Sequence, residues 1–258
     1  MADKKKTVKK SAAKGTKKSA TKSTRKSTAK SAAKSEKKYN YLKDDVWEIP
    51  FISDYLEKAD KYLESIGYTE HGKRHSTIVS KSTQYILSRL GYPRRMITLG
   101  GIAGYLHDIG NLISRVNHGI TSALIAQRLL EEMGLPLKET ITVMSAIANH
   151  DEQVGEPTDP LAAAVILADK SDVHRTRVRN ENFISFDIHD RVNFAVTESF
   201  LRVDKNKMSI TLDLTIDTKI SQVMDYFEIF LERMLLCRKS AKILKCHFGL
   251  VVNENKLL

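Results

Sequence analysis

The sequence predicts a mainly α-helical protein with a small α+β unit at its C-terminus and a disordered basic tail at its N-terminus. Three observations lead to this expectation. Apolar residues recur at helical spacing in several segments between Ser53 and Asp169. Over Ile210–Ile216 the spacing changes to apolar residues at every second position, which is typical of a strand. The first 38 residues consist almost wholly of Lys, Ser, Ala and Thr.

The basic charge of the chain belongs to this tail. Residues 1–38 contain 15 Lys and Arg against Asp3 and Glu36, a net charge of +13. The whole chain carries +11, which leaves −2 for residues 39–258. Because the tail has almost no large apolar side chains to bury, it cannot offset its chain entropy and is predicted to be disordered. It either makes salt-sensitive contacts with nucleic-acid phosphates or only improves solubility.

Composition excludes several other classes of protein. A hydrophobic content of 41% is enough for a real core. Cys237 and Cys246 are the only cysteines, too few for a disulfide framework and typical of a reducing compartment. The longest apolar run, Leu161–Ala168, is far shorter than the roughly 18 residues needed to span a membrane. No secretory signal is recognisable, so a cytoplasmic location is expected.

Residues that typically start or stop helices divide the region of helical periodicity into separate helices. Gly67, Gly91 and Gly134 each follow a segment of helical periodicity. Asn117 is predicted to cap a helix, and Asp159-Pro160 is a cap followed by a first-turn proline. The helices are predicted over Ser53–Ile66, from Gly72 or His75 to Leu90, and over Arg94–Asp108, Asn117–Met133, Leu137–His150 and Leu161–Asp169.

The C-terminal segment mixes strands and a helix. A weaker strand over Asn193–Val203 is predicted to pair with Ile210–Ile216 through a turn at Asp204–Lys207. A long amphipathic helix, Ile220–Lys245, and a short strand, Leu250–Val252, follow. The helix stripe formed by Phe227, Phe230, Met234 and Leu235 is interpreted as core, and the helix could also form a homodimer contact. The predicted units are residues 1–38, 39–185 and 186–258.

Histidines and aspartates at or near helix ends are the chemically informative feature. Imidazole and carboxylate ligands suit iron, manganese and zinc, and the helices of a bundle can direct such side chains into one cavity. Asp169 ends an otherwise apolar segment, where a buried carboxylate is costly unless a cation or another partner neutralises it. These features favour a metal site. The residues are His75, His107, Asp108, His118, His150 and Asp169.

This ordered pattern resembles the HD superfamily of metal-dependent phosphohydrolases. The two additional histidines, His118 and His150, are most similar to its six-ligand, two-metal branch, which includes diadenosine-tetraphosphate hydrolases and HD-type cyclic-dinucleotide phosphodiesterases. The resemblance covers roughly residues 70–180 and implies an HD-domain helical bundle. The motifs that carry it are His71–Ser76, Leu106–Gly110, His118-Gly119, Asn149-His150 and Ala168–Lys170.

The resemblance also implies a ligand set and a reaction. One divalent cation would be held by His75, His107 and Asp169, and a second by His118 and His150. Asp108 would bridge the two, so that His107 and Asp108 are the central catalytic pair. Iron or manganese is expected, with no organic cofactor. A metal-activated water would hydrolyse a phosphate ester or anhydride, expected to be nucleotide-related.

Nearby residues are secondary candidates. Six cations either bind further substrate phosphates or are ordinary surface charges: Lys73, Arg74, Lys170, Arg175, Arg177 and Arg179. Lys170 and Asp172 are also candidates for orienting Asp169. His71 is expected to face solvent or to help bind substrate. Many relatives have Lys where this chain has Asn111, so the substrate class does not carry over.

Two other functions remain open from the sequence. Some HD-fold proteins with two irons activate oxygen, so a di-iron oxygenase is one alternative. The other is a nucleic-acid-associated regulator that retains the fold and acts through its basic tail. The retained ligand pattern favours the phosphohydrolase.

Overall fold

The computed structural model describes residues 50–180 and 187–258. Over these residues the chain is mainly helical and carries a small four-stranded sheet near its C-terminus, so the predicted fold class is confirmed. The predicted disordered tail, residues 1–38, lies outside the described residues, as does the predicted domain boundary at residues 185 and 186. No helix in the described ranges is long and apolar enough to cross a membrane.

The helices and strands follow the predicted order. The α-helices are α1 Pro50–Ser65, α2 Lys73–Leu90, α3 Arg94–Leu106, α4 His118–Glu132, α5 Leu137–Ala148, α6 Pro160–Lys170, α7 Ile188–Ala195 and α8 Val223–Ile243. Short 3-10 helices lie at Ile109–Leu112 and Arg175–Arg177. The strands are β1 Val196–Asp204, β2 Ser209–Ile216, β3 His247–Val252 and β4 Asn255–Lys256.

The cap predictions have different outcomes. Asp159 caps α6, because its Oδ1 accepts hydrogen bonds from the backbone N–H groups of Leu161 and Ala162. Asn117 precedes α4 as predicted, but its side chain makes no capping hydrogen bond. Its φ is 57°, in the left-handed region, whereas a capping side chain requires an extended backbone. Asn117 therefore turns the chain sharply into α4 without capping it.

Helix α6 lies between two hydrophobic cores. Leu161, Ala162 and Val165 pack into a core formed mainly by α1, α3, α4 and α5. The opposite face, with Ala163, Ala164 and Leu167, packs with α2, α8 and the sheet. Burying a Val or Leu side chain contributes about 1.5–3 kcal/mol. The double burial explains why this segment is apolar throughout, and it fixes the helix end that carries Asp169.

The sheet has the order β1-β2-β3-β4. β1 and β2 form the predicted antiparallel hairpin, and in its turn Asp204 accepts hydrogen bonds from the backbone of Asn206 and Lys207. The predicted strand over Asn193–Val203 is wrong in its first part, because residues 193–195 end helix α7. Asp187 caps α7, and Val192 and Ala195 are buried at helical spacing.

Helix α8 connects β2 to the parallel strand β3 and packs against α6. Phe230 and Met234 are buried, as the core interpretation of the stripe requires. The core interpretation is wrong for Leu235, which is 49% exposed. Consecutive helical residues point about 100° apart, so Leu235 turns away when Met234 faces the core.

Candidate metal centre

Six buried side chains from five helix ends converge at one place. His75 lies in the first turn of α2, and His118 is the first residue of α4. His107 and Asp108 follow α3 directly. His150 follows α5, and Asp169 is the penultimate residue of α6. The structure thus brings together all six residues predicted as metal ligands.

Two glycines allow the helix ends to approach each other. A Cβ at Gly104 would lie 3.0 Å from the backbone of Val79 and Ser80, so any larger residue there would be crowded against α2. A Cβ at Gly110 would lie 2.4 Å from the backbone oxygen of His118 and from the nitrogen of Ser122. These contacts set the distances from the His107-Asp108 pair to His75 on one side and to His118 on the other.

The first cluster contains His75, His107 and Asp169. His75 Nε2 lies 3.2 Å from His107 Nε2 and 3.3 Å from Asp169 Oδ1, and His107 Nε2 lies 3.6 Å from the same oxygen. Asp108 Oδ2 lies 3.7 Å from His75 Nε2 and 3.3 Å from His107 Nε2. Four donor atoms therefore surround one point.

The second cluster contains His118 and His150. Their Nε2 atoms lie 3.0 Å apart. Asp108 Oδ1 lies 3.2 Å from His118 Nε2 and 3.6 Å from His150 Nε2. The two carboxylate oxygens of Asp108 thus face different clusters.

These spacings fit metal coordination. Metal–nitrogen bonds of about 2.0–2.1 Å place neighbouring ligand atoms about 3.0–3.4 Å apart in octahedral or tetrahedral geometry. The distances in both clusters lie in or near this range. Ligand atoms within 4.8 Å of one another also define the groups His75, His107, Asp169 and His107, Asp108, His150. The donor set therefore fits divalent cations.

Hydrogen bonds on the outer side of each imidazole favour the same conclusion. When Nδ1–H donates to an oxygen, the lone pair of a neutral histidine is on Nε2, where it can bind a metal. The four Nδ1 atoms have oxygen partners: Asp172 Oδ2 at 2.7 Å from His75, Gly104 O at 2.8 Å from His107, Ile147 O at 2.6 Å from His150 and Arg115 O at 3.1 Å from His118. All four Nε2 atoms consequently face the clusters.

The titration of the central pair shows how strongly this pocket attracts positive charge. Burial lowers the pKa of His107, but the Asp108 and Asp169 carboxylates outweigh burial and raise it to about 10. Burial would raise the pKa of Asp108, yet His107, His118 and His150 hold it well below its usual value. Without a metal, a proton on His107 therefore supplies the positive charge, and a binding cation would displace it.

A buried ionic network supports Asp169. Lys170 Nζ lies 2.7 Å from Asp169 Oδ2 and also pairs with Glu152. Arg233 of α8 donates to Glu152 Oε1 at 2.9 Å. Lys170 thus contacts Asp169 as expected, and the network extends from this carboxylate to the C-terminal helix.

Asp172 supports a different residue from the one expected. The prediction was that it orients Asp169, but its Oδ2 accepts from His75 Nδ1. Because α6 ends at Lys170, the chain turns at Ser171 and directs Asp172 towards α2. Arg74 donates to both carboxylate oxygens of Asp172 at 3.1–3.4 Å and holds the carboxylate in place.

The other predicted substrate cations have varied surroundings. Arg177 is buried and donates to the backbone oxygens of Glu70 and Asp172. Arg179 pairs with Asp60, Arg175 lies over the Phe194 ring, and Lys73 is exposed. Arg177 and Arg179 therefore have structural partners, while a substrate role for any of these cations stays a prediction.

Three residues near the centre have roles that the sequence did not indicate. His71 is buried with its ring centroid 5.4 Å from that of His75, so the solvent-facing interpretation is wrong. Asn111 donates through Nδ2 to Asp108 Oδ1 at 3.0 Å and restrains the central carboxylate. Arg115 Nη1 lies 3.3 Å from His118 Nε2. Its position three residues before a ligand was the sole sequence signal.

The geometry agrees with the family comparison. Residues 72–173 match the model of the HD domain family, and this match covers less than half of the chain. The matched range contains all six clustered residues.

Two individual proteins are similar to part of this chain. The uncharacterized protein MJ1020 of Methanocaldococcus jannaschii is 28% identical over 138 residues, which cover 44% of this chain and 52% of that protein. The chain thus spans about half the length of this relative. The crystal structure of a predicted HD superfamily hydrolase from an uncultured Thermotogales bacterium is 25% identical, with a TM-score of 0.40, over 49% of this chain and 69% of that chain.

Proposed function

We propose that this protein hydrolyses a phosphate ester or anhydride, nucleotide-related, with two divalent cations, iron or manganese. The observation that carries the proposal is the position of Asp108, whose Oδ2 faces His75 and His107 while its Oδ1 faces His118 and His150. A carboxylate between two sets of imidazoles is suited to bridge a pair of cations.

Each side chain has a defined part in this proposal. His75, His107 and Asp169 would hold one cation, and His118 and His150 the other, with Asp108 shared between them. When bound, the cations would activate a water for attack on phosphorus and neutralise charge on the phosphate oxygens. Asp172 and the backbone oxygens that accept from Nδ1 would keep the imidazoles in the ligating tautomer.

Charge favours an anionic substrate. With neutral imidazoles, the six ligands carry only the two negative charges of Asp108 and Asp169. Two divalent cations would leave the centre at about +2, a strong local field for phosphate. The nearby carboxylates of Glu152 and Asp172 pair with Lys170 and Arg177, so they do not reverse this balance.

The test is phosphate release by the full-length protein, purified anaerobically and loaded with Fe²⁺ or Mn²⁺. Substrates would be a panel of nucleotides and p-nitrophenyl phosphate. We expect turnover that is lost in His107→Ala and Asp108→Ala. His189→Ala and Asp54→Ala, at exposed positions, are matched controls and should retain it.

Other outcomes would overturn the proposal. Oxygen uptake by the iron-loaded protein without phosphate release would support an oxygenase. Absence of any turnover by a metal-loaded protein, together with salt-sensitive DNA binding that is lost on removal of residues 1–38, would support the regulator.

A further inference from the structure

We propose that Arg115 binds a phosphate group of the substrate on the His118–His150 side of the centre, and that Tyr68 positions its guanidinium. The inference rests on the proposed function and assigns a substrate contact within it. It does not depend on the six cations considered from the sequence.

Arg115 reaches the second cluster directly. Its Nη1 lies 3.3 Å from His118 Nε2, the atom that faces Asp108 and His150. Its backbone oxygen lies 3.1 Å from His118 Nδ1. The backbone of Arg115 is therefore fixed against the same imidazole that its side chain approaches.

Binding of a cation would change what the guanidinium can contact. Arginine stays protonated in proteins and cannot ligate a metal. A cation held by His118 Nε2 would take the lone pair that Arg115 now approaches and would repel the guanidinium. An anion between the two positive charges removes this conflict, and a phosphate group can contact the cation with one oxygen and Arg115 with others.

Arg115 also differs from three other cations around the centre. Arg74 pairs with Glu70 and Asp172, Lys170 with Glu152 and Asp169, and Arg233 with Glu152. Among the described residues, no carboxylate forms an ion pair with Arg115 within 4.0 Å. Its positive charge therefore remains available to a ligand.

Tyr68 limits where the guanidinium can go. The Arg115 Cζ lies 5.2 Å from the centroid of the Tyr68 ring, within the range of a cation–π interaction. Tyr68 lies five residues before α2, the helix that carries His75 in its first turn. We assign Tyr68 a positioning role, since it acts through Arg115.

The experiment measures binding of inorganic phosphate to the full-length Mn²⁺-loaded protein by calorimetry, with metal content determined on the same samples. Arg115→Ala should weaken phosphate binding about 10- to 100-fold, as for loss of a charged hydrogen bond, with unchanged metal content. Arg115→Lys should recover part of the affinity, because it keeps the charge and loses the paired donors. Arg128→Ala, on the exposed side of α4, is the matched control and should bind as the wild type does.

Tyr68 gives a second, independent measurement. Tyr68→Leu should weaken phosphate binding about twofold to fivefold, whereas Tyr68→Phe should not. In the Arg115→Ala background Tyr68→Leu should have no further effect, because the two residues act as one unit.

The outcomes separate this inference from the proposed function. If the wild type binds phosphate, Arg115→Ala loses it, and neither protein hydrolyses any substrate, the inference holds and the hydrolase proposal fails. Wild-type phosphate affinity in Arg115→Ala would overturn the inference even with full hydrolase activity. Loss of metal in Arg115→Ala, or no phosphate binding by the wild type, would overturn it as well.

Discussion

His75 is held between two carboxylates, with its Nδ1 2.7 Å from Asp172 Oδ2 and its Nε2 3.3 Å from Asp169 Oδ1. The first contact fixes the tautomer, and the second places the free nitrogen at the cluster. Asp172 is itself held by Arg74. The orientation of one ligand of the proposed centre thus depends on a residue that does not face the cluster.

Asp172→Ala should therefore weaken metal binding without removing a ligand. Loss of such an outer partner typically reduces metal affinity 10- to 100-fold, and we expect a loss of about that size. Titration of the metal-free protein with Mn²⁺ measures it, and Asp54→Ala serves as the exposed control. Equal affinities in Asp172→Ala and wild type would show that Asp172 does not orient His75.

The Lys170 network predicts a stability effect. Lys170→Met would leave the buried carboxylate of Asp169 and the half-buried carboxylate of Glu152 without their shared cation. In the metal-free protein this should lower the free energy of unfolding by about 3–5 kcal/mol, as when one partner of a buried ion pair is removed. Urea denaturation measures the change. Lys61→Met, in an exposed pair with Glu57, should have little effect, and equal losses in both variants would contradict the prediction.

Gly110→Ala should disturb the second cluster selectively. The added Cβ would lie 2.4 Å from backbone atoms of His118 and Ser122, so the start of α4 must shift. We expect metal content to fall from two ions to one per chain, measured by elemental analysis. Gly249→Ala meets the Thr211 side chain at 3.0 Å, far along the chain in β3, and should retain both ions. A Gly110→Ala protein that retains both would contradict this prediction.

Thiol reactivity gives a pH-dependent prediction. Burial raises the pKa of Cys237 to about 12, so the folded protein keeps the thiol protonated at pH 8. Iodoacetamide should therefore label Cys237 in urea-unfolded protein and leave it unmodified in folded protein, as read by mass spectrometry. Above the unfolded-state pKa of about 8.5, the unfolded chain loses this proton first, so stability should fall as pH rises. Rapid labelling of Cys237 in folded protein at pH 8 would contradict the prediction that its thiol stays buried and protonated.

The sequence was sufficient to predict which six residues cluster, because these residues are marked locally. The adjacent His107 and Asp108 follow an apolar helix, and Asp169 ends a segment that is buried on both faces. Helix boundaries were predicted closely where glycine or Asp-Pro marked them, as at Gly91 and Asp159.

Two of the supporting contacts could not be predicted because they join distant parts of the chain. Arg233 and Glu152 are 81 residues apart, and Asp172 and His75 are 97 apart. Periodicity reports the face on which a residue lies and not its partner. Helix α7 was not predicted because its eight residues are too few to separate helical from alternating spacing. Asp187, which caps this helix, was not recognised as a helix start signal.

The proposal that Asp108 bridges two cations is tested most directly by anomalous diffraction from crystals of the Mn²⁺-loaded protein. We predict two anomalous peaks about 3.5–4 Å apart, one beside His75, His107 and Asp169 and one beside His118 and His150, with an Asp108 oxygen bound to each. A single peak, or two peaks of which one has no contact with Asp108, would contradict the two-cation centre.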